Sequence, residues 1–261
     1  MTGNRKFVNI IKISTSIVLV ILIALIINIA KNHNDKNLAT ELSLSGKRVM
    51  VLGGPNEKYE DKLYNEDTSP VFKYSNISDE IKEKMIRVSW KEDSPVKLED
   101  LAYINVTYWG FDNAEHVGEM IVHEKLALEV LEIFKELYEA RFSIEKIVLI
   151  DEYDANDDLS MADNNTSAFC SREVTGKKGV FSEHSYGVAI DINPIQNPYI
   201  KGDIVLPEEG SFYLDRNNVR KGMITKGDVC YNAFKNRGWV WGGEWNTLKD
   251  YQHFQKKIED N

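Results

Sequence analysis

Eighteen consecutive residues without a charge, Ile13 to Ala30, divide this 261-residue chain more sharply than any other feature. Ile, Leu and Val dominate the run, and about 20 apolar residues (range about 17–25) suffice to span a bilayer core. Ile10 and Ile11 lengthen it around Lys12. Arg5, Lys6 and Lys12 precede it, so the first dozen residues are expected in the cytoplasm and the rest outside. A cleaved signal peptide is the rival reading. Its apolar core is usually about 7–15 residues, and Ile27-Asn28-Ile29-Ala30 is a poor small-x-small cleavage site. No cysteine follows the run to take a lipid. The expected organisation is a cytoplasmic tail over 1–12, a transmembrane anchor over 13–30, a stalk over 31–73 and an extracytoplasmic domain over 74–261.

Outside the anchor the composition is that of a globular chain, 43% hydrophobic and 28% charged overall. The net charge is −9; residues 1–30 carry three cations and no acid, so the remainder carries −12. A body this acidic repels phosphate backbones, which argues against a nucleic-acid partner. Neutral or cationic peptides fit better. Cys170 and Cys230 lie in the part expected outside the membrane, where they can pair. Their separation in space is not readable from sequence, so a disulfide and two buried thiols both stay open.

Residues 31–46 are polar and lack aromatics, as a stalk would. Val49-Met50-Val51-Leu52 is either a short strand or part of that stalk. Ile77 to Met85 has helical spacing, with Ser78 as N-cap. Leu101 to Trp109 is β-branched and aromatic, which predicts a strand, and Glu119 to Val122 is a second candidate. Over Glu124 to Arg141, residues Leu126, Leu128, Val130, Leu131, Phe134, Leu137 and Tyr138 recur near the 3.6-residue period and predict a helix. Ile147–Ile150, Ala168–Cys170 and Val188–Ile192 read as strands, Asp151–Asn165 as a loop, and Val229–Arg237 as a helix stopped at Gly238. A helix ahead of a group of short strands predicts an α+β domain with a small antiparallel sheet and flanking helices.

Two segments carry the chemistry. One is Ser182-Glu183-His184-Ser185-Tyr186-Gly187-Val188-Ala189-Ile190-Asp191. The other runs from Trp239 through Trp241-Gly242-Gly243-Glu244-Trp245 to Asp250-Tyr251-Gln252-His253-Phe254. A catalytic zinc takes three protein ligands from imidazole nitrogen and carboxylate oxygen and keeps one open position. His184, Asp191 and His253 supply that set. Seven residues separate the first two, an odd offset that would place them on opposite faces of a straight strand. A turn at Gly187 removes the objection, with His184 entering from a loop and Asp191 from the strand. There is no His-Glu-x-x-His helix. Asp250 stands three residues before His253, where a carboxylate can accept a proton from an activated water. Arg172 is the candidate for stabilising developing negative charge. Taken singly, these residues have plain structural readings, and His33, His116 and His123 keep theirs as surface or satisfied core histidines.

The joint pattern Ser-x-His-x-x-Gly-x-Ala-x-Asp, Trp-Gly-Gly-x-Trp, Asp-x-x-His-Phe resembles the zinc D-Ala-D-Ala metallopeptidases. These include VanY-like carboxypeptidases and the L-alanyl-D-glutamate endopeptidases of phage endolysins and sporulating bacteria, and they share a fold with lysostaphin-type enzymes and the hedgehog signalling domain. The likeness extends over about residues 74–256, including Asn164–Phe169 and Asn193–Tyr199. It implies His184, Asp191 and His253 as zinc ligands, Asp250 as catalytic acid/base and Arg172 as a contact to the substrate carbonyl. It places Ser182 and Tyr186 behind the ligands or facing substrate, and Trp241 and Trp245 as lining or buttress of the cleft. The implied partner is the peptidoglycan stem peptide, cut at the L-Ala-D-Glu or the terminal D-Ala-D-Ala bond. Unlike endolysins, the chain shows no separate wall-binding repeat; the anchor would hold the domain near its substrate instead. Two other classes are weighed against this one. A non-catalytic zinc-containing wall-binding module would leave Asp250 without a task. A transmembrane sensor would need more cytoplasmic chain than about a dozen residues.

Overall fold

The computed structural model describes residues 40–44, 47–51, 70–174 and 177–258. The chain divides into two compact units, Met1–Thr68 and Ser69–Asn261. In the first, β1 (Thr40–Leu44) pairs antiparallel with β2 (Lys47–Val51). The apolar run at Val49 is therefore part of a strand. The expected anchor over 13–30 lies outside the described residues, and among those described no helix is long and apolar enough to cross a membrane.

The second unit is α+β. Strands β3 (Phe72–Asn76), β4 (Leu101–Trp109) and β5 (Glu115–His123) form an antiparallel sheet in that order. Helix α1 (Asp79–Met85) links β3 to β4, and the Ser78 hydroxyl accepts from the Ile81 N–H at its start, as an N-cap should. Side chains alternate across a strand. Ala102, Ile104, Val106 and Tyr108 of β4, with Met120 and Val122 of β5, enter the main core, while Leu101 and Ile121 enter a smaller one with Ile77, Met85, Leu149 and Phe169. Both faces of the sheet are thus covered, which is why Leu101–Trp109 shows no clean polar alternation.

Helix α2 (Ala127–Glu139) packs on the main-core face of β4 and buries Ala127, Val130, Leu131, Ile133, Phe134 and Leu137. Leu128, counted in the expected stripe, is 60% exposed. It falls outside the buried rows at i, i+3, i+4 and i+7 from Ala127.

Three expectations fail between β5 and the site. Ile147 and Leu149 are buried, but no strand forms there, because Val148 N–H bonds to the Asn165 side chain rather than to a neighbouring backbone. The acidic stretch expected to be loop contains α3 (Asp157–Ala162), capped by Asn156 Oδ1 accepting from Leu159 N–H at 3.1 Å. Ala168–Cys170 is extended but is no ladder strand. Its bonds go to different partners in turn: Ser167 exchanges two with Asp191, Phe169 donates to Ile121 O and Cys170 donates to His184 O. This segment is wedged between β5 and the strand that carries Asp191.

The remaining strands are β6 (Ala189–Asp191), β7 (Tyr199–Lys201), β8 (Ile204–Leu206), β9 (Val240–Trp241), β10 (Lys249–Asp250) and β11 (His253–Gln255). They make two small sheets, ordered β6-β11-β9 and β10-β7-β8. Helix α4 (Val229–Lys235), capped by Asp228, contributes Phe234, whose ring stacks on Phe254 at 4.1 Å. Burying a side chain of that size contributes about 1.5–3 kcal/mol, so β11 is pinned to the core at Phe254. Cys170 and Cys230 are both buried and free, and burial pushes the Cys170 thiol up to about 11.

Candidate metal centre

Strand pairing brings two of the three expected ligands together. In the β6–β11 ladder Asp191 stands directly opposite His253, and directly opposed residues project from the same face with Cβ atoms about 4.5–5.5 Å apart. Ile190 and Phe254, the next opposed pair, turn to the core. The His-Phe dipeptide therefore places one ligand on the site face and one anchor on the other.

His184 arrives from a 3-10 turn, Glu183–Tyr186, capped by Ser182, whose hydroxyl accepts from His184 N–H. Gly187 ends that turn at φ +69°, a left-handed conformation that glycine adopts without cost. A Cβ there would stand 2.6 Å from the His123 backbone nitrogen, and the Gly187 carbonyl accepts from that N–H at 2.8 Å. The turn is thus clamped to the end of β5, and the chain re-enters as β6 with the odd offset resolved.

The resulting cluster is buried and tight. His184 Nε2 lies 3.1 Å from Asp191 Oδ2, His253 Nδ1 lies 2.9 Å from Asp191 Oδ1, and the two ring nitrogens are 3.2 Å apart. The outward ring nitrogens are committed: His184 Nδ1 is 2.6 Å from the Ala168 carbonyl, and His253 Nε2 is 3.0 Å from Gln255 Oε1. An acceptor oxygen can only receive a proton, so each imidazole carries its N–H on the outer side. Two lone pairs and a carboxylate then face one point, and such a set needs a cation between them. Ligands about 2.0–2.1 Å from a tetrahedral centre stand roughly 3.3 Å apart, close to these spacings, and all three offer atoms within 4.8 Å of one another. The donor chemistry and the geometry both fit a metal ion.

Without a metal, the electrostatics of the cluster favour a proton in that place. Burial alone would lower the His253 pKa, but the hydrogen bond and charge of Asp191 outweigh it and raise it to about 9. Burial would raise the Asp191 pKa; the His184 charge and the bonds from both imidazoles outweigh that and hold it well below the usual carboxylate range.

Asp250 ends β10, paired with Tyr199 of β7. Burial pushes its carboxyl up to about 7, with the His253 charge opposing and the Asp191 charge assisting. Its Oδ1 is buried with no hydrogen-bond partner among the described residues. The Trp-Gly-Gly segment explains how it gets there. A Cβ on Gly242 would meet the Asp250 carbonyl oxygen at 2.5 Å and its Cβ at 2.8 Å, so only glycine lets these two backbones touch.

Arg172 is tied to the ligand turn through its backbone. Its N–H donates to Ser185 Oγ, and its carbonyl accepts from Ser185 Oγ and from Ser182 N–H. Its NH2 lies 2.8 Å from Asp157 Oδ2 at the start of α3. Trp245 packs beside His253, ring centroids 5.4 Å apart. Trp241 is buried, donates to the Tyr251 carbonyl and faces the core rings of Tyr231 and Phe254; it is a buttress, not a lining residue. Tyr186 is 39% exposed on the ligand turn. Away from the site, His116 pairs with Asp112 and His123 accepts from Lys125 N–H; His33 lies outside the described residues.

Three participants escaped the sequence reading. Gln255 was findable: two residues beyond His253 on a strand, it must share its face. Ser185 has no distinguishing signal beside His184. Asp157 is one of six acids between Asp151 and Asp163, and nothing in their order singles it out.

Two buried imidazoles, an opposed aspartate and an adjacent buried carboxylate with no partner among the described residues make a candidate divalent-metal site. Residues 175–256 match the family model described as D-alanyl-D-alanine carboxypeptidase, a zinc metallopeptidase family and the one the sequence motifs resemble. The matched segment spans just under a third of the chain and holds His184, Asp191, Asp250 and His253 but neither Arg172 nor Asp157. No solved structure matches the chain significantly.

Proposed function

We propose that this chain is a zinc peptidase that hydrolyses a peptide bond in bacterial peptidoglycan stem peptides, held at the membrane by Ile13–Ala30, with a body of the hedgehog and D-Ala-D-Ala-peptidase type. The observation that carries the reading is the convergence of two imidazole lone pairs and Asp191 next to a buried carboxylate, Asp250, whose Oδ1 has no partner among the described residues. His184 Nε2, His253 Nδ1 and Asp191 would hold the ion, and a nitrogen-rich set with one carboxylate suits zinc. Zinc bound there supplies Lewis acidity, which polarises a carbonyl and acidifies water.

The residues of the chain do the rest. Asp250 accepts a proton from the attacking water at its free oxygen. It returns that proton to the departing amine as the C–N bond breaks. A carboxylate whose pKa lies near neutrality suits both transfers. Arg172 supplies a fixed positive charge near the cluster for the developing oxyanion. Trp245 shields one side of His253 from water.

Mass spectrometry of purified muropeptides tests the reading and identifies the bond. Loss of a terminal alanine marks carboxypeptidase action; scission between L-Ala and D-Glu marks endopeptidase action. Cleavage should stop with a chelator and return with zinc. Asp250→Ala should lower the rate by about 10³-fold while zinc stays bound at one per chain. Full cleavage by that variant would sink the mechanism, and zinc binding without any cleavage by the wild type would return the non-catalytic wall-binding module.

A further inference from the structure

We propose that Asp157 is the positioning residue for Arg172: α3 delivers a carboxylate that holds one terminal nitrogen of the guanidinium and turns the other towards the peptide beside the His184–Asp191–His253 cluster. The inference rests on the peptidase reading above and extends it to two residues outside the matched segment.

The geometry has three parts. First, the Arg172 backbone cannot drift, because Ser185 and Ser182 bond it to the turn that carries His184. Any motion left to Arg172 is in its side chain, a flexible stem that costs up to about 2 kcal/mol of rotamer entropy to fix. Second, Asp157 Oδ2 sits 2.8 Å from NH2, with both side chains about three-quarters shielded from solvent. Third, Arg172 Nε is buried with no partner among the described residues. An arginine that spends one nitrogen on a carboxylate and buries another without a partner is not optimised for stability. It is held in an orientation chosen by something else.

The electrostatics agree. Burial works against the Arg172 charge, and Asp157, followed by Asp191, outweighs it and raises the pKa. Burial raises the Asp157 pKa, and Arg172 opposes that. Asp250 also acts on Arg172, so the cation stands within electrostatic reach of both the ligand and the base. Without Asp157 it would be free to swing towards either.

A purely structural role for Asp157 predicts something different. It begins α3, where an acid suits the helix dipole, but Asp158 occupies the same first turn. Asp158→Asn is therefore the matched control.

The test uses the full-length, zinc-loaded protein. Asp157→Asn should lower kcat/KM for stem-peptide cleavage by about 10–100-fold, Asp157→Glu should recover most of it, and Asp158→Asn should stay within twofold of wild type. Zinc content and Tm should not separate Asp157→Asn from Asp158→Asn. In a double-mutant cycle, Asp157→Asn should add nothing to Arg172→Ala. Peptide affinity measured in the cleavage-dead Asp250→Ala background supplies a readout without turnover, and Asp157→Asn should weaken it there. Normal cleavage by Asp157→Asn, or additivity with Arg172→Ala, overturns the positioning role and leaves the peptidase reading standing. A wild type that binds stem peptide in an Asp157-dependent way but cuts none overturns the peptidase reading and keeps the positioning. A wild type that neither binds nor cuts overturns both.

Discussion

At the scale of single residues, the site is set by where its protons are. Ala168 and Gln255 take the outer N–H of His184 and His253, so both inner nitrogens present lone pairs. Ala168 does so through its backbone, an acceptor that every residue carries; Gln255 does so through its side chain, which alanine lacks. Gln255→Ala should therefore weaken zinc binding by about 10–100-fold, read by competition with a chromophoric chelator, and excess zinc should restore the lost activity. Unchanged affinity would mean that His253 needs no outer partner. Asp250 differs from the ligands in having an oxygen with no partner among the described residues. A buried acceptor left open costs about 1–3 kcal/mol, and the peptidase reading gives that cost a purpose, since the open oxygen is where a proton goes.

At the scale of elements, short strands do the positioning and glycines set their spacing. β6 and β11 contribute only three residues each, yet their register opposes Asp191 to His253, while Phe254 locks that register through its stack on Phe234. β10 is held from the other side, where Gly242 touches the Asp250 backbone. Gly242→Ala should push β10 outward and lower kcat by about 10²-fold, the typical penalty for a misplacement of about 1 Å. The ligands lie on β6, β11 and the Glu183–Tyr186 turn, so zinc content should not change. Loss of zinc together with activity would show that the glycine supports the whole site and not the base alone. Two of the elements that sequence misjudged, Ile147–Ile150 and Ala168–Cys170, share one cause. Both are apolar, but their backbone bonds are scattered: Ile147 O takes Glu119 N–H while Val148 N–H goes to a side-chain amide, and the second segment bonds to three different segments. Local sequence does not encode such partners.

At the scale of the whole molecule, metal binding, protonation and folding are linked. The metal-free His253 has a pKa of about 9 against 6.5 when unperturbed. A raised pKa means that the folded state binds the proton more tightly, so this contribution to stability is complete below pH 6.5 and is lost as pH rises through about 9. The Asp191 pKa is depressed, so its contribution holds above the ordinary carboxylate range and is lost on acidification. Metal-free protein should lose Tm between pH 6.5 and 9, and Asp191→Asn should flatten that slope. Zinc competes with the same proton, so its stabilising increment, RT ln(1 + [L]/Kd), should grow over the same interval. Differential scanning fluorimetry with and without a chelator measures both; a metal-free Tm that does not fall over this interval would refute the linkage.

Much of this was present in the order of the residues. Helical periodicity located α2, and β-branched and aromatic composition located β4, because both are local properties that tertiary contacts reinforce. Residue chemistry picked out His184, Asp191, His253 and Asp250, because few side chains can hold a divalent ion or carry a proton. What the order of residues left open was adjacency. That Asp191 opposes His253 across 62 positions, that Gly242 abuts Asp250, and that one acid of six reaches Arg172 are consequences of register and packing. Those depend on the sum of many weak contacts distributed over the whole core, and no segment read alone contains that sum.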